Sequence, residues 1–334
     1  MTRSVVITGG TAGIGLATAE IFAKKGYNVA VIGRHAARVD DAVAYLETYG
    51  TEVMGFAIDV TDNEALVEAA HDVARRFGAI DVWVNNAMAT VLAPVDRVDA
   101  DEYRRVTEVT YLGQVFGTLA ALRVMKKQNF GAVIQVNSGL GFRPIPLQVA
   151  YAGAKAACVG FTDGLRSELA HEGKKISLTT VYLPAVNTTQ FRDWSRNKMG
   201  YRQTAPAKFH DPRRCGQAIF NAAQRPTREV WVGSSTLLMA FLQSVWPGAA
   251  DRQAASAWDG QLSDTPLAPH GGNLFEPGEG PARIDGPEDA KDVAKYSLVV
   301  TSRSRNALVA GLIGAGVGLV AHCLRHAVKP RRRW

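Results

Sequence analysis

Through about residue 235, short runs of consecutive apolar, β-branched residues alternate with longer stretches in which apolar positions recur at helical spacing. The runs predict strands near residues 3 to 8, 28 to 32, 52 to 58, 80 to 84, 131 to 137, 175 to 182 and 229 to 232, with helices between them. Val5-Val-Ile7 and Val133-Ile134 are too continuously apolar for a sheet with one wet face, so both faces should be covered. Thr61-Asp-Asn-Glu64 and Asp99-Ala-Asp-Glu102 read as capping boxes that start two of the helices. The pattern predicts an α/β fold, a doubly wound parallel sheet in a single domain.

Beyond residue 235 the pattern changes. Pro247, Pro266, Pro269, Pro277, Pro281 and many glycines punctuate a polar stretch without periodicity, so residues 236–305 read as an irregular extension. Residues 306–334 form a separate tail, in which the uncharged run Ala307 to Ala321 precedes Arg325, Lys329, Arg331, Arg332 and Arg333. As a helix the run would span about 22 Å, short of the roughly 30 Å hydrocarbon core. Crossing would also place the basic cluster outside, against the positive-inside tendency. A peripheral anchor on a membrane surface is the favoured reading, with a helix packed on the domain or a partner as the alternative. Leu237 to Leu242, ahead of Trp246, would add a second apolar contact.

Composition narrows the class. The chain has 334 residues, enough for one large core, and a net charge of +7 that is concentrated in the tail. Nucleic-acid binding is therefore not indicated. Cys158, Cys215 and Cys323 lie far apart without metal-ligand spacing, which points away from a disulfide framework or zinc site. No signal-peptide pattern precedes the first strand, and a reducing, cytoplasmic setting is expected.

The chemistry-bearing residues sit where predicted strands end. Thr8-Gly9-Gly10-Thr11-Ala12-Gly13-Ile14-Gly15 follows the first strand, and glycines there permit a tight turn and close approach of a pyrophosphate to a helix N-terminus. Asp59 follows the third strand and Asn85-Asn86-Ala87 the fourth. After the second, Ile32-Gly33-Arg34-His35 offers a cation and no carboxylate. An acid there would hold the ribose 2′-OH of NAD, whereas an arginine pairs with a 2′-phosphate, so NADP(H) is preferred over NAD(H). Tyr151 and Lys155 share a helix face, where the ammonium should lower the phenol's pKa, and Ser138 ends the fifth strand.

The glycine turn, the Asn-Asn-Ala segment, Ser138 and the Tyr-x-x-x-Lys pair resemble the short-chain dehydrogenase/reductase family over about residues 1–235. The resemblance implies a Rossmann-like fold and an oxidoreductase that passes a hydride between a nicotinamide and a carbonyl or alcohol carbon. Ser138, Tyr151 and Lys155 would be the catalytic set. Gly9, Thr11, Gly13, Ile14 and Gly15 would form the phosphate turn, Asp59 would contact the adenine, and Asn86 would lie near its ribose. Lys155 would bond the nicotinamide ribose, and Thr188, in Pro184-Ala185-Val186-Asn187-Thr188, would close on the nicotinamide. The family also implies a homo-oligomer.

Two departures qualify the match. Thr110 stands where many members carry a relay asparagine, and its shorter hydroxyl would weaken or rebuild the relay. Met88 replaces a usual glycine and would narrow the nicotinamide pocket. Leu140 and Phe142 between Ser138 and Tyr151, with Phe191 and Trp194 in the region of the family's substrate lid, predict an apolar pocket for a hydrophobic carbonyl or alcohol. The departures and the long extension keep a second function open, a nucleotide-binding scaffold or redox sensor with little turnover.

Overall fold

The computed structural model describes residues 2–191, 194–286, 293–294 and 296–304. Its central sheet contains β1 (Ser4–Thr8), β2 (Asn28–Gly33), β3 (Val53–Ala57), β4 (Val82–Asn85), β5 (Gly131–Ser138), β6 (Ile176–Leu183), β7 (Glu229–Val232) and β8 (Val299–Thr301). Their spatial order is β8-β7-β6-β5-β4-β1-β2-β3. All neighbours are parallel except β8, which runs antiparallel to β7 with Val230 opposite Thr301. The seven predicted strands are present close to their expected limits.

Alternation along β1 explains how both faces are covered. Val5 and Ile7 point to one side, into a core with Leu16, Phe22 and Ile219, whereas Val6 points to the other, among Leu66, Trp83 and Met125. The first side belongs to α1 (Gly13–Lys24), α2 (Ala36–Glu47) and α7 (Pro212–Gln224). The second belongs to α3 (Asn63–Phe77), α4 (Ala100–Thr107), α5 (Gly113–Gln128) and α6 (Val149–His171). With water excluded from both faces, apolar residues at successive positions are all buried, and the sequence lacks a period-two pattern for that reason.

One predicted capping box forms. Asp99 and Glu102 cap α4 reciprocally. At α3 the cap is instead Asp62, which accepts from the Ala65 amide at 3.0 Å. The Thr61 hydroxyl is turned away to donate to Asp59 at 2.9 Å.

The extension is more ordered than its sequence predicts. It opens with α8 (Ser234–Val245) and α9 (Pro247–Ala255), and Leu262–Pro266 pairs antiparallel with Tyr201–Gln203. It closes with β8 at the sheet edge, so it is woven through the α/β domain. Leu274 and Ile284, from its irregular stretch, are buried in the two cores. The tail 306–334 lies outside the described residues. Among the described residues no helix is long and apolar enough to cross a membrane.

Candidate active site

The strand order reverses between β4 and β1, and β2, β3 and β5, β6 fan out to either side. Connections from the carboxyl ends of these strands leave in opposite directions and open a crevice, the usual ligand position in such sheets. A cleft of about 340 Å³ lies there, lined by residues that follow β1 through β6.

At the β1 end, Gly9 and Gly13 adopt positive φ of 64° and 53°, which L side chains disfavour. Ala12 precedes α1 without a side-chain cap, so the amides of the first turn need an acceptor from elsewhere. The Gly13 amide finds one in the Arg283 carbonyl at 2.9 Å. The remaining orphan donors and the helix dipole suit an anion, and a bare glycine surface lets a pyrophosphate approach them. The chain therefore fits a dinucleotide. Thr11, Gly13 and Ile14 line the cleft beside Gly9 and Thr188. Gly15 does not. It packs behind the turn, where a methyl group would overlap the Gly9 carbonyl. Asn86 lines the cleft and also fixes the turn, donating to the Thr8 and Gly9 carbonyls at 3.2 Å each.

The next portion of the cleft is rich in guanidinium groups. Arg34 and Arg38 both line it, and burial lowers the pKa of each. Asp59 lies 3.7 Å from Arg34 and is paired more closely with Arg105. Burial alone would push the Asp59 carboxyl up, but hydrogen bonds from Arg105 and Thr61 outweigh it and hold the carboxyl below its ordinary value. Arg38 and Arg105 escaped the sequence reading. Each sits on an amphipathic helix where an arginine looks like an ordinary exposed residue.

At the chemical end, Ser138, Tyr151 and Lys155 all line the cleft. The Ser138 hydroxyl accepts from the Leu140 amide at 3.2 Å and is hydrogen-bonded to the Tyr151 phenol. The Lys155 ammonium donates to the Val136 carbonyl at 2.8 Å, the ammonium's only hydrogen bond among the described residues, which leaves two N–H groups for the cleft. Asn137, absent from the sequence reading, ties the set together. It accepts from the Ser138 amide at 2.7 Å and donates to the Lys155 carbonyl at 3.1 Å, joining the end of β5 to α6.

The electrostatics correct one expectation. The Lys155 ammonium is 5.8 Å from the centre of the Tyr151 ring, and the tyrosine is largely buried. Desolvation therefore dominates, and the Tyr151 pKa rises well above its ordinary value, with the Ser138 hydrogen bond opposing the rise. Burial likewise lowers the Lys155 pKa. Tyr151 is a protonated acid in this setting.

Thr110 lies in a π-helical turn, Glu108–Leu112, between α4 and α5. Its hydroxyl donates to the Ala89 carbonyl at 2.9 Å and accepts from the Ala89 amide at 3.0 Å. The side chain is thus engaged by backbone rather than turned to a water chain. Met88, Leu140, Phe191 and Trp194 line the cleft. Phe142 does not. It packs edge-on to Tyr182 with ring centres 4.9 Å apart and lies 5.0 Å from Trp231. The sequence reading missed Thr236 and Met239 of α8, which also face the cleft. Gln261 of the extension is fully buried, donates to the Pro146 carbonyl at 2.9 Å and accepts from Gln148 at 2.7 Å. These bonds hold the loop that leads into Tyr151.

Comparison with known proteins agrees with this geometry. The family model for short chain dehydrogenase matches residues 3–199. An uncharacterized oxidoreductase, YxnA of Bacillus subtilis, is 30% identical over 74% of this chain and 70% of its own length. The 3-oxoacyl-[acyl-carrier-protein] reductase FabG of Chlamydia trachomatis is 32% identical over 52% of this chain and 71% of its own. An alcohol dehydrogenase from the archaeon Thermococcus sibiricus, solved in complex with 5-hydroxy-NADP, superposes with a TM-score of 0.59 at 24% identity, over 69% of this chain and 96% of that one. With more than half its length in the family match and the glycine turn, serine, tyrosine and lysine gathered at one crevice, the chain belongs to the short-chain dehydrogenase/reductase family of oxidoreductases.

Proposed function

We propose that this oxidoreductase exchanges a hydride between NADP(H) and the carbonyl or secondary alcohol carbon of a hydrophobic substrate. The observation that carries the reading is the shared cleft, with the glycine turn and arginines at one end and Ser138, Tyr151 and Lys155 at the other. A bound nicotinamide supplies or accepts the hydride. Tyr151 gives its phenolic proton to the substrate oxygen in reduction and takes it back in oxidation, while Ser138 hydrogen-bonds the same oxygen. Lys155 places a positive charge behind the phenol. Met88, Leu140, Phe191, Trp194 and Met239 give the remaining space an apolar lining. A panel of hydrophobic ketones and alcohols with each nicotinamide cofactor tests the reading, with Tyr151→Phe as the control.

The raised phenol pKa sets an expected pH dependence. An acid whose pKa lies above its ordinary value stays protonated throughout the neutral range, so kcat/KM for ketone reduction should be flat from about pH 6 to pH 9. Alcohol oxidation needs the phenolate and should rise with pH, by up to about tenfold per unit. A reduction rate that halves near pH 7 would show that a different group supplies the proton.

One observation favours the scaffold reading: the Thr110 hydroxyl is closed off by Ala89 and supplies no side-chain relay. Tight nucleotide binding with no Tyr151-dependent turnover across the panel would establish it. Homo-oligomer formation rests on the family resemblance alone.

We further propose a lipid surface as the partner of α8. Thr236 and Met239 face the cleft, while Leu238, Phe241, Val245 and the adjoining Trp246 are exposed. The basic tail supplies charge complementary to anionic lipid. The full chain should float with vesicles containing anionic phospholipid, and Phe241→Glu with Trp246→Glu should reduce that fraction. Equal flotation of the double variant would remove α8 from the contact.

A further inference from the structure

The part of the extension between residues 266 and 286 contains a stretch that lines the cofactor half of the cleft, and its bonds there are numerous. His270 pairs with Asn197, Asn273 donates its amide to the Trp194 carbonyl at 2.8 Å, and Leu274 is completely buried in the core. Arg34 donates to the Asn273 carbonyl and, at 3.0 Å, to that of Phe275. Arg38 donates to the Gly278 carbonyl and, at 3.0 Å, to that of Gly280, and its guanidinium lies 4.5 Å from the centre of the Trp194 ring. Arg105 donates to the Leu274 carbonyl at 3.1 Å. Farther on, Arg283 accepts from the Gly13 amide in the phosphate turn. The strap lies wholly beyond residue 199, where the family match ends.

The strap forms part of the cleft wall. Asn273, Pro277 and Gly278 are themselves part of the lining, as are Ile58, Asp59 and Val60. Its contribution includes an unsatisfied acceptor: the Asn273 side-chain oxygen is buried with no hydrogen-bond partner. An unmet buried acceptor is costly unless something in the cleft donates to it. Asp59, which shares Arg34 and Arg105 with the strap, is already engaged, with one oxygen taken by the Thr61 amide and hydroxyl and the other by Arg105. Asn273 therefore offers the unused acceptor for an adenine amine or ribose hydroxyl.

We propose that residues 270–286 are part of the cofactor site, a clamp in which Asn273 accepts a hydrogen bond from the adenosine half of the dinucleotide and the strap slows its release. The strap carbonyls also hold Arg34 and Arg38 in position, so these arginines meet the nucleotide already oriented. The inference rests on the dinucleotide reading above but not on the preference for NADP(H), because adenosine is common to both cofactors.

The test compares the full chain with Asn273→Leu, which removes the acceptor, and with Gly278→Ala, whose methyl would come 2.8 Å from the Trp194 indole nitrogen and lift the strap. Dissociation rates of NADPH and NADH are read by stopped-flow displacement, and equilibrium affinities by calorimetry. Asn273→Leu should weaken both cofactors by about tenfold without changing their ratio. Gly278→Ala should accelerate release of both, again by about tenfold. Unchanged release and affinity in both variants would reduce the strap to a structural element. Tighter binding in Gly278→Ala would show that the strap competes with the cofactor, which also overturns the clamp. A wild-type chain that favours NADH would refute the NADP(H) preference and leave the clamp test intact.

Discussion

Tyr151→Phe should lower kcat for carbonyl reduction by about 10³-fold, within the range that a positioned proton donor contributes, while leaving cofactor affinity within about twofold of wild type. The phenol is buried, hydrogen-bonded to Ser138 and placed by a helix that Asn137 fastens to the end of β5. Phenylalanine preserves the ring and its packing and removes only the hydroxyl. The variant should therefore fold normally, which circular dichroism and thermal unfolding would verify, and its loss should fall on the chemical step. Single-turnover measurements with a ketone from the panel separate that step from binding and product release. Turnover retained within tenfold would mean that another group delivers the proton and would dissolve the assignment of Tyr151.

Arg34→Ala should cut the ratio of NADPH to NADH affinity by about 10- to 100-fold, the range of one lost charge-assisted pairing with a phosphate. The ratio is the informative quantity. Arg34 also donates to two carbonyls of the strap, so its removal loosens this part of the cleft wall for either cofactor and lowers both affinities together. Only the interaction with the 2′-phosphate distinguishes them. Arg38, farther along α2 and also in the cleft, supplies a second cation, so the selectivity should fall without inverting. Raising salt should erode the wild-type ratio, because the discriminating term is electrostatic. An unchanged ratio in Arg34→Ala would assign the discrimination to Arg38 or remove it altogether.

The strands were legible because each is an apolar run buried on both faces, and such runs need no knowledge of their neighbours to be found. The glycine turn and the order of Ser138, Tyr151 and Lys155 were legible for a similar reason: each is a local pattern, and the connections at the ends of parallel strands bring such patterns to one crevice. Phe142 lies outside the cleft because proximity in sequence to a site residue does not fix the direction of a side chain, and Gly15 serves the turn by packing rather than by lining the cleft. Phe142 turns to Tyr182 and Trp231, and Gly15 turns to the back of the phosphate turn. The direction of the Tyr151 pKa shift was missed because the spacing to Lys155 speaks only of a neighbouring charge. Burial, which here sets the direction of the shift, is a property of the assembled cleft.

The sequence by itself determined the doubly wound sheet, the glycine turn after its first strand and the order of Ser138, Tyr151 and Lys155, since all follow from short-range periodicity and from motifs a few residues long. The tertiary structure alone decided what packs against them. Leu274, Asn273 and Arg283 carry no local signal among the prolines and glycines of the extension, yet their carbonyls are bonded by Arg105, Arg34 and the Gly13 amide respectively. Those bonds join positions more than 160 residues apart, and their acceptors are backbone carbonyls, which are the same at every residue. Only the folded chain selects which of them meet.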